Sequence, residues 1–513
     1  MDNLFKFFDA YPAIPIGLFF VFFIGVLLRF FGKRAVARHA PKKFSSALDQ
    51  VLFRWTQRDF FRVRDLLNGG CLILGRAGSG KTSSSGRTLM QAVVSNPQSG
   101  GLILAAKPED VGDVMRIFRK ALRLKDLIVF DADGPYRCNF LNCLKTPRDV
   151  VTFITTISEV MKRGDSNGGG DSSRFYDQQE ERTIYNAVAA LQAARQPITA
   201  PNLHKFIMTA AVSRAEQGSA QWQQKYHPQI MERAFHAKKT AMEAHDFQLC
   251  LDFWNEEWAG VMDLKTRGNI LAGVQGTLHT MNTGIVREMC SGATNVSPAD
   301  ILAGKWVLVN FPPSTWGQAG LLISCGMKQL VELAILERKA DDASPFCVIW
   351  CDEAHQFVTS YDSSFIAQCR SHKGSLVYLS QSISSFYSAM KGDAGKHQAD
   401  ALLANFSHWI VHASDPVTAK ACTAKLGRRK EILYSGGSSP GPENTVWDNL
   451  FGDAHVSSSF SEHYEQALQD QEFMVGRTGG PDNSFLADAL VLRSGEPFSD
   501  GNNYQRVVFS QKG

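Results

Sequence analysis

Gly75-Arg76-Ala77-Gly78-Ser79-Gly80-Lys81-Thr82 is a complete G-x-x-x-x-G-K-T, and the apolar run Cys71–Leu74 leads straight into it. Glycines let a backbone wind tightly enough for successive N–H groups to converge on an anion. A helix starting there adds the positive end of its dipole. The lysine of this pattern reaches β- and γ-phosphates, and the hydroxyl after it is a magnesium ligand. The small residues Ser83–Gly86 allow a helix to begin tight against the strand. A strand–loop–helix with these residues is expected to hold ATP through Gly75, Arg76, Ala77, Gly78, Ser79, Gly80, Lys81, Thr82 and Ser83, with Thr82 on Mg2+.

A second apolar run, Phe346–Cys351, ends in Asp352-Glu353-Ala354-His355. At the tip of a strand beside a phosphate loop, Asp352 is expected to hold Mg2+ and Glu353 to polarise an attacking water. A helix cap would use the same residue types, but the phosphate loop favours catalysis. The letters D-E-A-H invite comparison with helicases, whose two motifs lie much closer together in one compact core. Here Lys81 and Asp352 are 271 residues apart, and Val475–Gly480 is a thin echo of the helicases' arginine-rich element. His355 is read as a turn or interface histidine. The next apolar run, Ser375–Ser380, ends in Gln381, placed to touch a γ-phosphate. Arg370 precedes that strand near a helix end, where it would either cap the helix or reach a neighbouring subunit's nucleotide.

Between these motifs the chain alternates strand and helix, stops, and resumes. Leu102–Ala106, Leu127–Phe130, Trp306–Phe311 and His408–Val411 read as strands. Val111–Leu124, Leu321–Arg338 and Asp415–Leu426 read as helices, and a Gly/Ser/Pro-rich loop is expected near Ser435–Pro442. From about Pro147 to Ile270 the text is helical, as in Phe175–Ala194, where Ile184, Val188 and Leu191 share a face. Ser166–Ser173 reads as a flexible loop. The order implies an α/β fold, a parallel sheet interrupted by an all-α insertion. The expected divisions are residues 1–44, 45–146, 147–300 and 301–513. Ten cysteines without zinc spacing suggest buried thiols in a reducing compartment.

Charge is uneven. The 513 residues carry 54 Lys/Arg against 50 Asp/Glu, a net of +4. The first seventy hold eleven basic and five acidic residues, so the rest of the chain is slightly acidic. Residues 151–300 hold 14 basic and 16 acidic residues, which excludes a broad basic platform for nucleic acid. Tyr11–Leu28 is eighteen residues without a charge, extended by Phe30 and Phe31. Such a run is about long enough to cross a hydrocarbon core. Basic residues from Arg29 to Lys43 follow it, so residues 11–31 are expected to form a single transmembrane helix. The positive-inside rule puts the N-terminus outside and the rest in the cytoplasm.

Together these residues resemble the type IV secretion coupling proteins, the conjugative DNA-transfer ATPases of the FtsK/HerA superfamily. The resemblance covers most of residues 60–500. Its marks are the phosphate loop Gly75–Thr82, the Lys107-Pro-Glu109 element, and Asp131-Ala-Asp133 with Asn139 and Asn142. The Phe175–Leu191 helix, Ser375–Ser382 with Gln381, and Asn405, Asp415 and Lys425-Leu-Gly427 complete it. It implies a P-loop NTPase with a RecA-like sheet. Lys81 and Thr82 would hold nucleotide and magnesium, Asp352 and Glu353 serve hydrolysis, and Gln381 sense the γ-phosphate. Arg370 would be the finger of an adjacent subunit, which requires a ring, a homo-hexamer. Implied partners are single- or double-stranded DNA, relaxase or effector protein cargo, and secretion-channel components, at a bacterial inner membrane. Relatives carry D-x-K-G-E where this chain has Ala105, and many have two membrane helices where one is expected here. The expected function is a motor coupling ATP hydrolysis to cargo transfer through a conjugation channel. The alternative is an FtsK/HerA-like DNA translocase in segregation or DNA processing.

Overall fold

A computed structural model describes residues 47–164, 171–390, 392–439 and 455–512. The expected membrane helix at 11–31 lies outside these described residues. Apolar runs bounded by turn residues form most of the strands. They are β1 (Val51–Arg54), β2 (Phe60–Arg62), β3 (Cys71–Leu74), β4 (Ser99–Leu104), β5 (Leu127–Phe130), β6 (Trp306–Val309) and β7 (Phe346–Cys351). Further on come β8 (Gly374–Ser380), β9 (His408–Val411), β10 (Arg428–Ser439), β11 (His455–Gln466), β12 (Leu486–Arg493) and β13 (Tyr504–Ser510).

Every residue of β3, β4, β6, β7, β8 and β9 is buried, the mark of strands covered on both faces. They belong to a nine-stranded sheet ordered β13-β12-β9-β3-β8-β7-β4-β6-β5. From β9 to β5 every neighbour is parallel. The loops after β3, β4, β7, β8 and β9 therefore open on one edge, where open α/β sheets bind ligands. The parallel sheet read from the sequence is present, and β5, β7 and β9 fall on the expected residues. The β12–β13 hairpin, antiparallel to β9, extends the sheet by two strands that the sequence reading did not contain.

One expectation is corrected by pairing. Ser435–Ser439 is not loop: it continues β10, with Ser435 opposite Ser459 and Ser439 opposite His455. A partner strand supplies the ladder hydrogen bonds that glycine and serine propensities do not foretell.

Between β5 and β6 the chain is helical, beginning with Pro147–Met161 and Asp171–Ala193. Thr146 starts the first of these with a capping box: its hydroxyl accepts from the Asp149 amide, and Asp149 accepts from the Thr146 amide. Proline at the first helical position, with its fixed φ, reinforces the start. The helix packs on Pro313–Glu337, where Gly326 allows close approach. A Cβ there would meet Phe140 at 2.7 Å and Phe153 at 3.2 Å. Pro313–Glu337 is apolar enough to cross a membrane, with a mean hydropathy of 1.5 over its most apolar stretch. Yet 72% of that stretch is buried in protein, so it is a core helix of the sheet layer. Farther into the helical region, His227 stacks on Phe206 at 4.1 Å, and burial pushes its imidazole down to about 3.

Candidate functional site

The open edge of the sheet gathers the two principal motifs. Gly78 and Gly80 adopt φ of 75° and 85°, values that cost a side-chain-bearing residue. A Cβ on Gly78 would meet nothing within 4 Å, so this turn presents bare backbone to open space. A Cβ on Gly80 would meet the Thr478 carbonyl at 2.9 Å, so glycine is required there for a second reason. The loop is pinned from beneath: the Gly75 amide donates to Ser380 O at 3.3 Å and the Arg76 amide to Ala413 O at 2.9 Å. After Lys81 the first turn, Thr82–Gly86, is wide, with the Gly86 amide reaching back to Lys81 O at 2.8 Å. Arg87–Ser95 then continues as α-helix.

The Thr82 hydroxyl donates to Asp352 Oδ2 at 2.9 Å across 270 residues of sequence. The expected metal pair thus meets in space. Burial raises the Asp352 carboxyl above the usual carboxylate range, while Lys81 and the Thr82 hydroxyl pull it back. A bound cation would favour its ionised form, so the pair suits Mg2+, with its preference for hydroxyl and carboxylate oxygen. Lys81 and Glu353 are 7% and 4% exposed, and Lys81 Nζ lies 3.6 Å from Glu353 Oε1. Gln381 Nε2 donates to the same oxygen at 3.0 Å, and Lys107 Nζ stands 3.9 Å away. Oε1 is therefore surrounded by donors. Among the described residues nothing hydrogen-bonds Oε2, which faces His355 Nδ1 at 3.7 Å. Burial lowers the His355 pKa, so that ring is neutral near pH 7. Ser79 Oγ is likewise buried without a partner among the described residues.

Lys81, Thr82, Asp352, Glu353 and Gln381 come together. Arg370 does not join them within one chain. It lies in the turn Cys369–His372 at the start of β8, at the opposite end of that strand from Gln381, and its Nη1 donates to Asn68 Oδ1 at 2.9 Å. Seven strand residues separate the two ends by roughly 20 Å.

Several neighbours of the loop were not read from the sequence as site residues. Asp110 accepts from the amides of Ala106 and Lys107 at 3.0 and 2.9 Å and shapes the turn that carries Lys107. His412, at the end of β9, lies 2.7 Å from Ser85 Oγ through Nε2 and 2.9 Å from Asp488 O through Nδ1. A carbonyl only accepts, so Nδ1 carries the proton and Ser85 donates to Nε2. Burial pushes His412 down to about 4. Gln511 Nε2 donates to Ser83 Oγ at 2.7 Å, its Oε1 accepts from the Gly480 amide at 2.7 Å, and Arg87 donates to its carbonyl at 3.1 Å. The contacts of Ser83, Ser85 and Arg87 with His412 and Gln511 join segments hundreds of residues apart, and no local pattern signals them. Arg477, the arginine of the helicase-like echo, is paired with Asp488 at 2.7 Å.

No protein-family model matches the chain, and no curated protein matches it. Solved structures do. The bacterial conjugative coupling protein TrwBdeltaN70, in an unbound monoclinic form, aligns with a TM-score of 0.59 and 14% identity. The alignment covers 91% of this chain and 90% of that one. TrwB in complex with the non-hydrolysable GTP analogue GDPNP aligns over the same shares, at 14% identity and a TM-score of 0.58. TrwB with ADP and Mg2+ aligns over 88% of this chain and 87% of that one, at 13% identity and a TM-score of 0.56. At such identities the likeness is one of fold. The chain has the architecture of a conjugative coupling protein, and in that respect the resemblance seen in the sequence is borne out.

Proposed function

We propose that the chain is a membrane-tethered ATPase of type IV secretion, which recruits relaxase–DNA or protein cargo and couples ATP hydrolysis to its transfer. The observation that carries this reading is the contact between Thr82 and Asp352, beside Glu353 and Lys81, on a coupling-protein fold. The TrwB structures with GDPNP and with ADP and Mg2+ support nucleotide and magnesium as its ligands.

In this reading Lys81 leaves Glu353 for the β- and γ-phosphates, and the Gly75–Ser83 backbone cradles the rest. Mg2+ held by Thr82 and Asp352 would neutralise phosphate charge. Glu353 Oε2, left without a hydrogen bond, is the atom to accept a proton from the attacking water, while the donors around Oε1 keep the carboxylate oriented. Gln381 touches Glu353 and would report the γ-phosphate to it. Arg370, remote from its own subunit's loop, would act in the neighbouring one, which calls for a homo-hexameric ring. Residues 11–31 would tether the ring to the inner membrane, N-terminus outside. Residues 45–146 and 301–513 would form the motor, and the helical residues 147–300 would meet cargo.

The test is ATP hydrolysis by the full-length protein at low salt, with and without DNA, beside conjugative transfer in cells carrying Lys81→Ala. DNA-stimulated hydrolysis and transfer should both be lost in the variant. A wild-type protein without hydrolysis, together with unimpaired transfer by Lys81→Ala, would sink the reading. Hydrolysis by the wild type, with transfer untouched but segregation disturbed in cells carrying Lys81→Ala, would point to a DNA translocase instead.

A further inference from the structure

The Glu353 backbone is left-handed, with φ of 45° and ψ of 47°. A residue with a Cβ holds that conformation only where its surroundings enforce it, and such outliers gather at functional sites. The turn after Glu353 supplies part of the enforcement. The Gln356 amide donates to Glu353 O, and the Phe357 and Val358 amides to Ala354 O, all at 2.9 Å. Cys325 Sγ lies 3.6 Å from Phe357 O.

The two carbonyls on either side of Phe357 are gripped by one side chain. Arg163 donates through Nη1 to Gln356 O at 3.0 Å and through Nη2 to Val358 O. It lies outside the sheet, in the long helical connection between β5 and β6. It stands in the turn Lys162–Gly164 that closes the Pro147–Met161 helix, at the start of the inserted helical region. A guanidinium is a planar fork whose two ends reach two carbonyls at once, which an ammonium on a flexible stem does not reproduce. Close by, Ser360 Oγ donates to Glu159 Oε2 at 2.6 Å. That contact crosses the same seam beyond the turn and grips none of it.

We propose that Arg163 is a positioning residue for hydrolysis: from the helical insertion it clamps the turn that holds Glu353 left-handed, so a shift of the insertion moves the carboxylate. The inference rests on the ATPase reading above and adds a route by which the cargo-facing helices would control turnover. Its element is discrete, since a left-handed residue released from its clamp relaxes to another basin rather than drifting.

The full-length protein and its Arg163→Ala, Arg163→Lys and Ser360→Ala variants test it through kcat, KM for ATP, melting temperature and amide hydrogen exchange across 353–358. Arg163→Ala should lower kcat by roughly ten- to a hundredfold, the scale of a small misplacement of a reacting group. KM and melting temperature should stay near wild type, and exchange at 356–358 should quicken. Arg163→Lys should recover part of the loss, and Ser360→Ala none of the defect should show. Unchanged kcat and exchange in Arg163→Ala overturn the proposal, as does an equal loss in Ser360→Ala. If wild type hydrolyses no ATP, the ATPase reading fails, and hydrogen exchange alone decides whether the clamp exists.

Discussion

Two lysines in this molecule each stand beside two carboxyl groups, and the two clusters do opposite things. At the open edge, Lys81 faces Glu353 at 3.6 Å, with Asp352 bonded to Thr82. Behind β7, Lys328 contacts Asp362 directly and Glu332 at 3.7 Å, with all three side chains fully buried. Asp362 is saturated there, accepting from Thr359 Oγ1 and Tyr378 OH at 2.6 Å each. Each cluster nevertheless keeps carboxyl oxygen without a hydrogen bond among the described residues: Oε2 of Glu353, and both oxygens of Glu332. What separates them is the neighbourhood. Glu353 Oε2 lies at the open edge beside the Gly75–Thr82 loop, which on the proposed reading brings in phosphate and water. Glu332 is sealed, and burial together with Asp362 pushes its pKa up to about 8 despite Lys328, so it answers by keeping a proton. Charge composition alone therefore does not make a site; access to ligand does.

The same amide substitution should break the symmetry most sharply. On the proposed ATPase reading, Glu353→Gln keeps the shape of the side chain and removes the base, so hydrolysis should fall by about 10²- to 10⁴-fold while nucleotide binding survives. Steady-state turnover alongside nucleotide titration checks both halves. A Glu353→Gln protein that turns over normally would move the base elsewhere. Next in size is the lysine of the closed cluster. Burial opposes the Lys328 ammonium, but Asp362 and Glu332 hold its pKa above the usual lysine value. Lys328→Met would leave Asp362 buried without its counter-charge, and the cost should be about 3–5 kcal/mol in urea unfolding. Lys81→Met should cost less stability, because Lys107 and Gln381 still face Glu353, yet it should abolish nucleotide binding. Equal destabilisation by the two lysine variants would erase the distinction between the clusters.

The open cluster was largely legible in the sequence and the closed one was not, for a physical reason. Gly75–Thr82 and the Asp352–Glu353 pair need fixed spacings along the chain, because one loop or one strand tip carries each. Lys328, Asp362 and Tyr378 meet only after the helices Pro313–Glu337 and Tyr361–Gln368 and the strand β8 have packed, and nothing local marks them. The strands follow the same division. β5, β7 and β9 are apolar runs cut off by turn residues, and their bounds were read directly. The serine- and glycine-rich end of β10 is a strand only because β11 pairs with it. Gln381 was placed by its position at a strand tip, whereas His412 and Gln511 reach the phosphate loop from β9 and from the end of β13. Arg163 escaped for the same reason, since its partners lie 193 and 195 residues away.

The smallest expected effect is the one that tests the closed cluster's proton. A carboxyl raised in the fold binds a proton that the unfolded chain has already released. Its contribution to stability is complete below the ordinary carboxylate pKa and is lost as pH rises through about 8. Over that window the slope should approach about 1.4 kcal/mol per pH unit for one group. Buried His227, His408 and His412, lowered to about 3, 3 and 4, act with the opposite sign. They weaken the fold as pH falls below the ordinary histidine value, whereas buried thiols with raised pKa values weaken it toward pH 9. Both cancel in the difference between wild type and Glu332→Gln from pH 7 to 9, which isolates Glu332. Glu332→Gln replaces a neutral acid by a neutral amide and should leave stability at pH 6 within about 1 kcal/mol of wild type. It should then overtake wild type as pH rises to 9, because the variant has no proton to lose. Urea midpoints that fall in parallel for the two proteins would show Glu332 ionised throughout. The closed cluster would then hold two negative charges against one lysine, and its resemblance to the open one would be closer than the geometry indicates.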